Sequence, residues 1–235
     1  MELGRLERPT AEQFQGSRKL LLVPLLLAPP QPPEGLAPLL LRYWEQVRQQ
    51  VDNLTRRLGS PGHVYHEGLH QGGDPDLAVL EKFNPLVVPL VRAWCGAGAR
   101  MEATDDWALT EEVMDWQRCL LIGLMSQKVT RLVQDNYEDA SRRRYDHIAR
   151  RIDETLKSQE LGILLIGEDH RVQFPSDIQV FYVAPPALDE VHRWLRDRRA
   201  EAARAQESRE QQASRGDAET MPPQDQGEQP DLAGA

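Results

Sequence analysis

Residues 162–167 read Gly-Ile-Leu-Leu-Ile-Gly, an apolar run with no polar position to mark a solvent-facing side. A half-exposed strand alternates polar and apolar residues, so an unbroken run bounded by glycines fits a strand buried on both faces. Such strands belong to sheets covered by helices, which points this chain towards an α/β fold. A second run, Leu20 to Ala28, reads LLLVPLLLA and is read as another buried strand, with Pro24 at a strand end or edge. It is too short to cross a bilayer as a helix. Glu2, Glu7 and Glu12 precede it and Pro29-Pro30 follow it, which does not suit a signal peptide.

Between these runs the elements alternate. Leu36, Leu39, Leu40, Tyr43, Trp44, Val47, Val51 and Leu54 recur at three-to-four spacing, a long amphipathic helix ended by Gly59-Ser60-Pro61-Gly62. A short extended piece, residues 63–67, leads into a glycine-rich loop. Asp74 is expected to cap a helix with Pro75 at its first position, running past Phe83 to Trp94. Residues 100–104 suggest a third strand. Thr110 opens a helix reaching Leu132, and Tyr145, Ile148, Ile152 and Leu156 form the stripe of another. Residues 178–183 suggest a last strand, and Pro185-Pro186 a last helix. Alternating strands and helices predict a mostly parallel sheet. The short polar turn between the last two strands predicts a C-terminal hairpin before the final helix.

The chain has 235 residues, suiting one domain and a tail. Residues 1–18 are read as a flexible N-terminal segment and 19–200 as a single α/β domain. Residues 201–235 contain no aromatic residue and are rich in Gln, Glu, Arg, Asp, Pro and Ala, which predicts a disordered tail. A net charge of −9 argues against a nucleic-acid or anionic-membrane partner. The basic run Arg142, Arg143, Arg144, Arg150 and Arg151 is interleaved with Glu138, Asp139, Asp146, Asp153 and Glu154, and reads as a solvated mixed-charge helix face. Cys95 and Cys119 form no C-x-x-C pair; two reduced thiols fit a reducing, cytoplasmic setting.

Ligands of open α/β sheets gather beyond the carboxyl ends of the strands. There the 162–167 strand runs into Glu168-Asp169-His170-Arg171, residues 63–67 into His66-Glu67-Gly68-Leu69-His70, and the third strand towards Glu102, Asp105 and Asp106. Carboxylates and imidazoles at one edge can hold a divalent metal and activate water. Glu67, Glu168, Asp169 and His170 are the expected ligands, with Glu67 and His170 as the catalytic pair. Strand-to-helix turns are polar in most α/β proteins, so ordinary turns compete with this reading. His66-Glu67-x-x-His70, with Asp76 further on, also matches the zinc-protease pattern, in which two His one helical turn apart bind zinc and the Glu polarises water. That reading requires a helix over residues 64–71, against the glycines at 62, 68, 72 and 73.

The acidic strand Val64-Tyr65-His66-Glu67, the helix segment Arg143-Arg144-Tyr145-Asp146-His147-Ile148-Ala149 and the closing Gly167-Glu168-Asp169-His170 together resemble the superfamily of TraB/PrgY-like proteins, erythromycin esterases, ChaN-like haem-binding lipoproteins and Tiki-type proteases. The resemblance implies an α/β domain over residues 19–198 with a site at these motifs. The family's first strand usually closes in its own Gly-x-x-His, and Leu25-Leu26-Leu27-Ala28-Pro29 offers no polar group there. The resemblance therefore extends to a degenerate, non-catalytic member.

Three functions stay open: a metal-assisted hydrolase, a non-catalytic small-molecule- or peptide-binding module lined by Tyr65, Phe174, Phe181 and Tyr182, and a zinc metalloprotease using His66, His70 and Asp76. The sequence leaves the oligomeric state undetermined.

Overall fold

A computed structural model of the chain describes residues 16–29 and 31–219, with side chains as far as Ser208. The elements run β1 (Arg18–Pro24), α1 (Leu36–Leu58), β2 (His63–His66), α2 (Gly73–Phe83), α3 (Val88–Gly96), β3 (Arg100–Met101), α4 (Trp107–Leu121), α5 (Gln127–Thr155), β4 (Leu161–Ile166), β5 (Ile178–Tyr182) and α6 (Pro186–Glu219). The five strands form one sheet in the order β3-β2-β4-β1-β5, and every pair is parallel. Among the described residues no helix is long and apolar enough to cross a membrane.

The two apolar runs found in the sequence sit at the centre. β4 lies between β2 and β1, and all six of its residues are buried. Side chains alternate between faces along a strand. Leu20, Leu22, Tyr65, Leu164 and Ile166 meet Ile148, Ile152 and Leu156, from α5 and its exit, together with Val172. On the other face, Phe83 at the end of α2 lies edge-on to His66, 5.6 Å between ring centroids. α1 packs on β1 and buries Leu40, Tyr43, Trp44, Val47 and Val51.

Gly162 is required by close approach. A Cβ there would stand 3.0 Å from the Tyr65 ring and 3.1 Å from Leu20. Its absence lets Tyr65 lie across the sheet and share a 2.7 Å hydrogen bond with Thr155 of α5.

Several expectations need correction. The C-terminal hairpin does not form: β4 and β5 flank β1 on opposite sides and run parallel. The segment 167–177 crosses β1 without a helix, tucking Val172 into the α5-side core. The helix expected from Asp74 to Trp94 is two helices, because Pro85 has no amide to donate and disfavours helical geometry at the preceding Asn84. Asp74 does not cap α2; instead Asp76 Oδ2 accepts the amides of Gln71 and Gly72 at 3.0 and 2.7 Å. The α4 cap is Asp106, whose carboxylate accepts the Leu109 amide at 2.9 Å, so the helix opens before Thr110. It ends at Leu121, and α5 begins at Gln127, where one helix was expected. Residues 63–66 are strand and Gly68 turns with φ 84°, so His66 and His70 do not share a helical face as the zinc-protease reading requires.

The described residues divide into two compact units, split between Val191 and His192. The first holds the sheet, α1 to α5 and the opening of α6. In the second, α6 continues to Glu219, with Arg198 over the Trp194 ring at 5.4 Å. The tail expected from residue 201 is thus helical as far as Glu219, and its remaining part, 220–235, lies outside the described residues, as does most of the N-terminal segment.

Candidate functional site at the carboxyl edge of the sheet

Because all strands run the same way, the exits of β2, β4, β1 and β5 line one edge. β2 ends at His66, and the Glu67 amide continues the ladder to Leu165 O at 2.9 Å. That places Glu67 on the same face as Tyr65, towards α5. Both carboxylate oxygens are engaged there. Oε1 pairs with Arg144 at 3.0 Å, and Oε2 accepts the Gly167 amide at 2.8 Å, tying the ends of β2 and β4 together.

Arg144 comes from α5 and is only 11% exposed. Its Nε lies 3.0 Å from both oxygens of Asp105, and its Nη2 also donates to Asp105. Asp105 accepts the Gly68 and Asp106 amides at 2.9 and 3.0 Å as well. Burial works against the Arg144 charge, but the bonds and fields of Asp105 and Glu67 more than offset it and hold the guanidinium above its ordinary value. This clasp joins four segments at the edge. The basic run 142–151 is therefore not wholly a solvated face. Arg144 lies four and eight residues before Ile148 and Ile152, on the buried stripe, a signal the sequence contains.

After β4 the chain turns at once, with the His170 amide bonding Gly167 O at 3.2 Å. A Cβ on Gly167 would come within 3.1 Å of Asp169 Oδ1 and 3.4 Å of Glu67 Oε2, so both carboxylates crowd that backbone. His170 Nδ1 accepts the Val172 amide at 3.3 Å. In a neutral ring that leaves the proton on Nε2. Partial burial lowers the His170 pKa, while Glu67 and Asp169 pull it the other way. Phe174 stands beside the ring, centroids 6.1 Å apart. Glu168 goes elsewhere: its Oε1 accepts the Tyr182 hydroxyl at 3.2 Å, at the exit of edge strand β5. Tyr182 is pushed up to about 12 by partial burial and the Glu168 carboxylate.

Of the four residues expected to share a metal, Glu67, Asp169 and His170 are thus brought together, whereas Glu168 turns towards β5. Among the described residues no group of three or more His, Cys, Asp or Glu side chains is arranged to hold a metal ion. The donor set fits a metal poorly. Glu67 is committed to Arg144 and Gly167, and a ligating histidine ordinarily donates its second ring nitrogen, whereas His170 accepts there.

The remaining candidates are distributed around the sheet. Glu102 turns to His63, whose Nδ1 and Nε2 lie 2.8 and 3.0 Å from Glu102 and Glu160. His66 faces the opposite side, its Nδ1 donating to Glu67 O, while His70 packs on Trp107. Asp76 is buried at the α2 entry. Tyr65 is a core residue. Of the expected aromatic lining, Phe174 stands beside His170 and Tyr182 beside Glu168 at the edge, while Phe181 precedes Tyr182 on β5 and alternates to the other face. Cys95 and Cys119 are free and half-buried. Comparison with protein-family models, curated proteins and solved structures finds no match for this chain.

Proposed function

We propose that the chain is a non-catalytic ligand-binding module whose site is the carboxyl edge around Asp169, His170 and Tyr182, and that its ligand is a small molecule carrying a positive group. One observation carries this reading: Arg144, the cation inside the edge cluster, is consumed in the clasp by Glu67 and Asp105, so that at the turn after β4 the carboxylates of Glu168 and Asp169 outnumber the exposed Arg171. The exposed Glu168 and Asp169 carboxylates then give the lip a negative field. Tyr182 and Phe174 add aromatic surface, which attracts an ammonium or guanidinium group. His170 supplies a donor at Nε2 for a polar atom of the same ligand.

The resemblance to the TraB and erythromycin-esterase superfamily is supported by the meeting of its three motifs: Glu67, Arg144 and the Gly167-x-x-His170 turn touch one another in a chain or stand side by side. Pro24 and the residues after it contribute no side-chain donor to the edge, in keeping with a degenerate member. The hydrolase reading keeps the proximity of Glu67, Asp169 and His170 as its support.

The test is a thermal-shift and calorimetric screen of the full chain against spermidine, choline, free arginine, zinc and manganese. Saturable stabilisation by an organic cation, abolished in Glu168→Gln/Asp169→Asn and weakened in His170→Ala, is expected. Stoichiometric metal uptake lost in His170→Ala, with ester or peptide turnover, would overturn it in favour of the hydrolase.

A further inference from the structure

Between Val113 on α4 and Val133 on α5, no residue is buried. The two helices pack on each other and their joined end stands clear of the core. At the apex the side chains are large and apolar: Leu121 is 79% exposed, Ile122 73% and Met125 101%, with Val129 and Leu132 exposed one and two turns down α5. Scattered exposed apolar residues need no explanation, but a contiguous cluster of this kind marks an interaction surface.

The charge around the apex identifies what that surface meets. From Trp116 to Gln134 the chain has three cations, Arg118, Lys128 and Arg131, and no acidic residue, within a molecule of net charge −9. Asp115 and Asp135 flank the stretch, and Asp115 pairs with Arg118 at 2.8 Å, which leaves Lys128 and Arg131 as the cations nearest the apex on α5. An apolar point collared by cations matches the boundary of an anionic bilayer, where acyl chains lie beneath negative headgroups. A second copy of the chain fits less well. A helical-hairpin apex is convex, whereas a stable dimer needs a matched face of about 800 Å² on each partner.

We infer that the α4–α5 apex is a peripheral membrane-docking tip, which inserts Leu121, Ile122 and Met125 at the headgroup boundary of an anionic bilayer while Lys128 and Arg131 contact its phosphates. This is surface attachment, distinct from crossing. The acidic remainder of the molecule is repelled by the same surface, so that the tip alone makes contact. Net charge does not reveal such a site, because it averages the collar with the other charges of the chain.

The experiment is co-sedimentation of the full chain with phosphatidylcholine vesicles, with and without about one third phosphatidylserine. Wild type is expected to bind the anionic vesicles at least about tenfold more tightly than the neutral ones, and less tightly as salt rises. Ile122→Asp/Met125→Asp and, separately, Lys128→Glu/Arg131→Glu are each expected to abolish binding while melting as wild type, since all four positions are exposed. The proposal is overturned if wild type ignores anionic vesicles or if both double variants still bind them. It is overturned equally if light scattering finds a lipid-free dimer that Ile122→Asp/Met125→Asp dissociates.

Discussion

His66 shows how a single side chain can set the response of this molecule to acid. Its ring is buried and donates to Glu67 O, and burial lowers its pKa from 6.5 to about 4, against the opposing fields of Asp76 and Asp105. In the unfolded chain the ring titrates near its ordinary value. Between the two values the unfolded state binds the extra proton, so stability rises with pH across that window and is lost as pH falls through it. The full loss amounts to about 3 kcal/mol once pH is below about 4. Urea unfolding of wild type and His66→Asn at about pH 7 and about pH 4.5 measures this contribution. The variant is expected to lose much less stability on acidification; equal losses would remove His66 as the cause. Glu112, Glu160 and Asp177, whose pKa values are lowered, also weaken the fold in stronger acid, but they do so in both proteins.

At the scale of elements, β4 depends on having no side chain at Gly162. Gly162→Ala would force its Cβ against Tyr65 and Leu20, and the expected cost is about 1–3 kcal/mol, the range for overpacked cores. Chemical denaturation reads this directly. Pairing it with Tyr65→Leu, which vacates the ring, should make the effect of the alanine smaller; an additive result would mean that the two do not meet. The core strands were legible because β1 and β4 are buried on both faces and leave unbroken apolar runs. α5 was legible from Ile148, Ile152 and Leu156 in its final turns and beyond. Strand partners were not legible, since a parallel ladder leaves no local turn between paired residues. The 167–177 segment resembled a hairpin turn in length, and only the burial of Val172 distinguishes it as a crossing. The candidate site was legible in part: Glu67, Asp169 and His170 were found as polar strand ends. Arg144 was hidden because a buried arginine and a solvated one look alike in composition, and only its phase with Ile148 and Ile152 separates them.

Over the whole molecule, the sheet order has a consequence for how the chain can be made. β1 is the first strand in sequence, yet its two neighbours, β4 and β5, come from residues 161–182. Strand β2 likewise waits for β4 on one side and finds only two residues of β3 on the other. A chain ending at Ser158 therefore contains most of the helices but neither partner of β1. It is expected to retain helical circular dichroism without a cooperative unfolding transition; a sharp transition in that fragment would show that the helices fold without the sheet. During synthesis at about 5–20 residues per second, Leu20 to Val23 would leave the ribosome many seconds before the strands that cover them. Newly made chains spend that interval with the apolar segment of β1 bare, the condition in which such a strand can pair wrongly or aggregate before its own neighbours arrive.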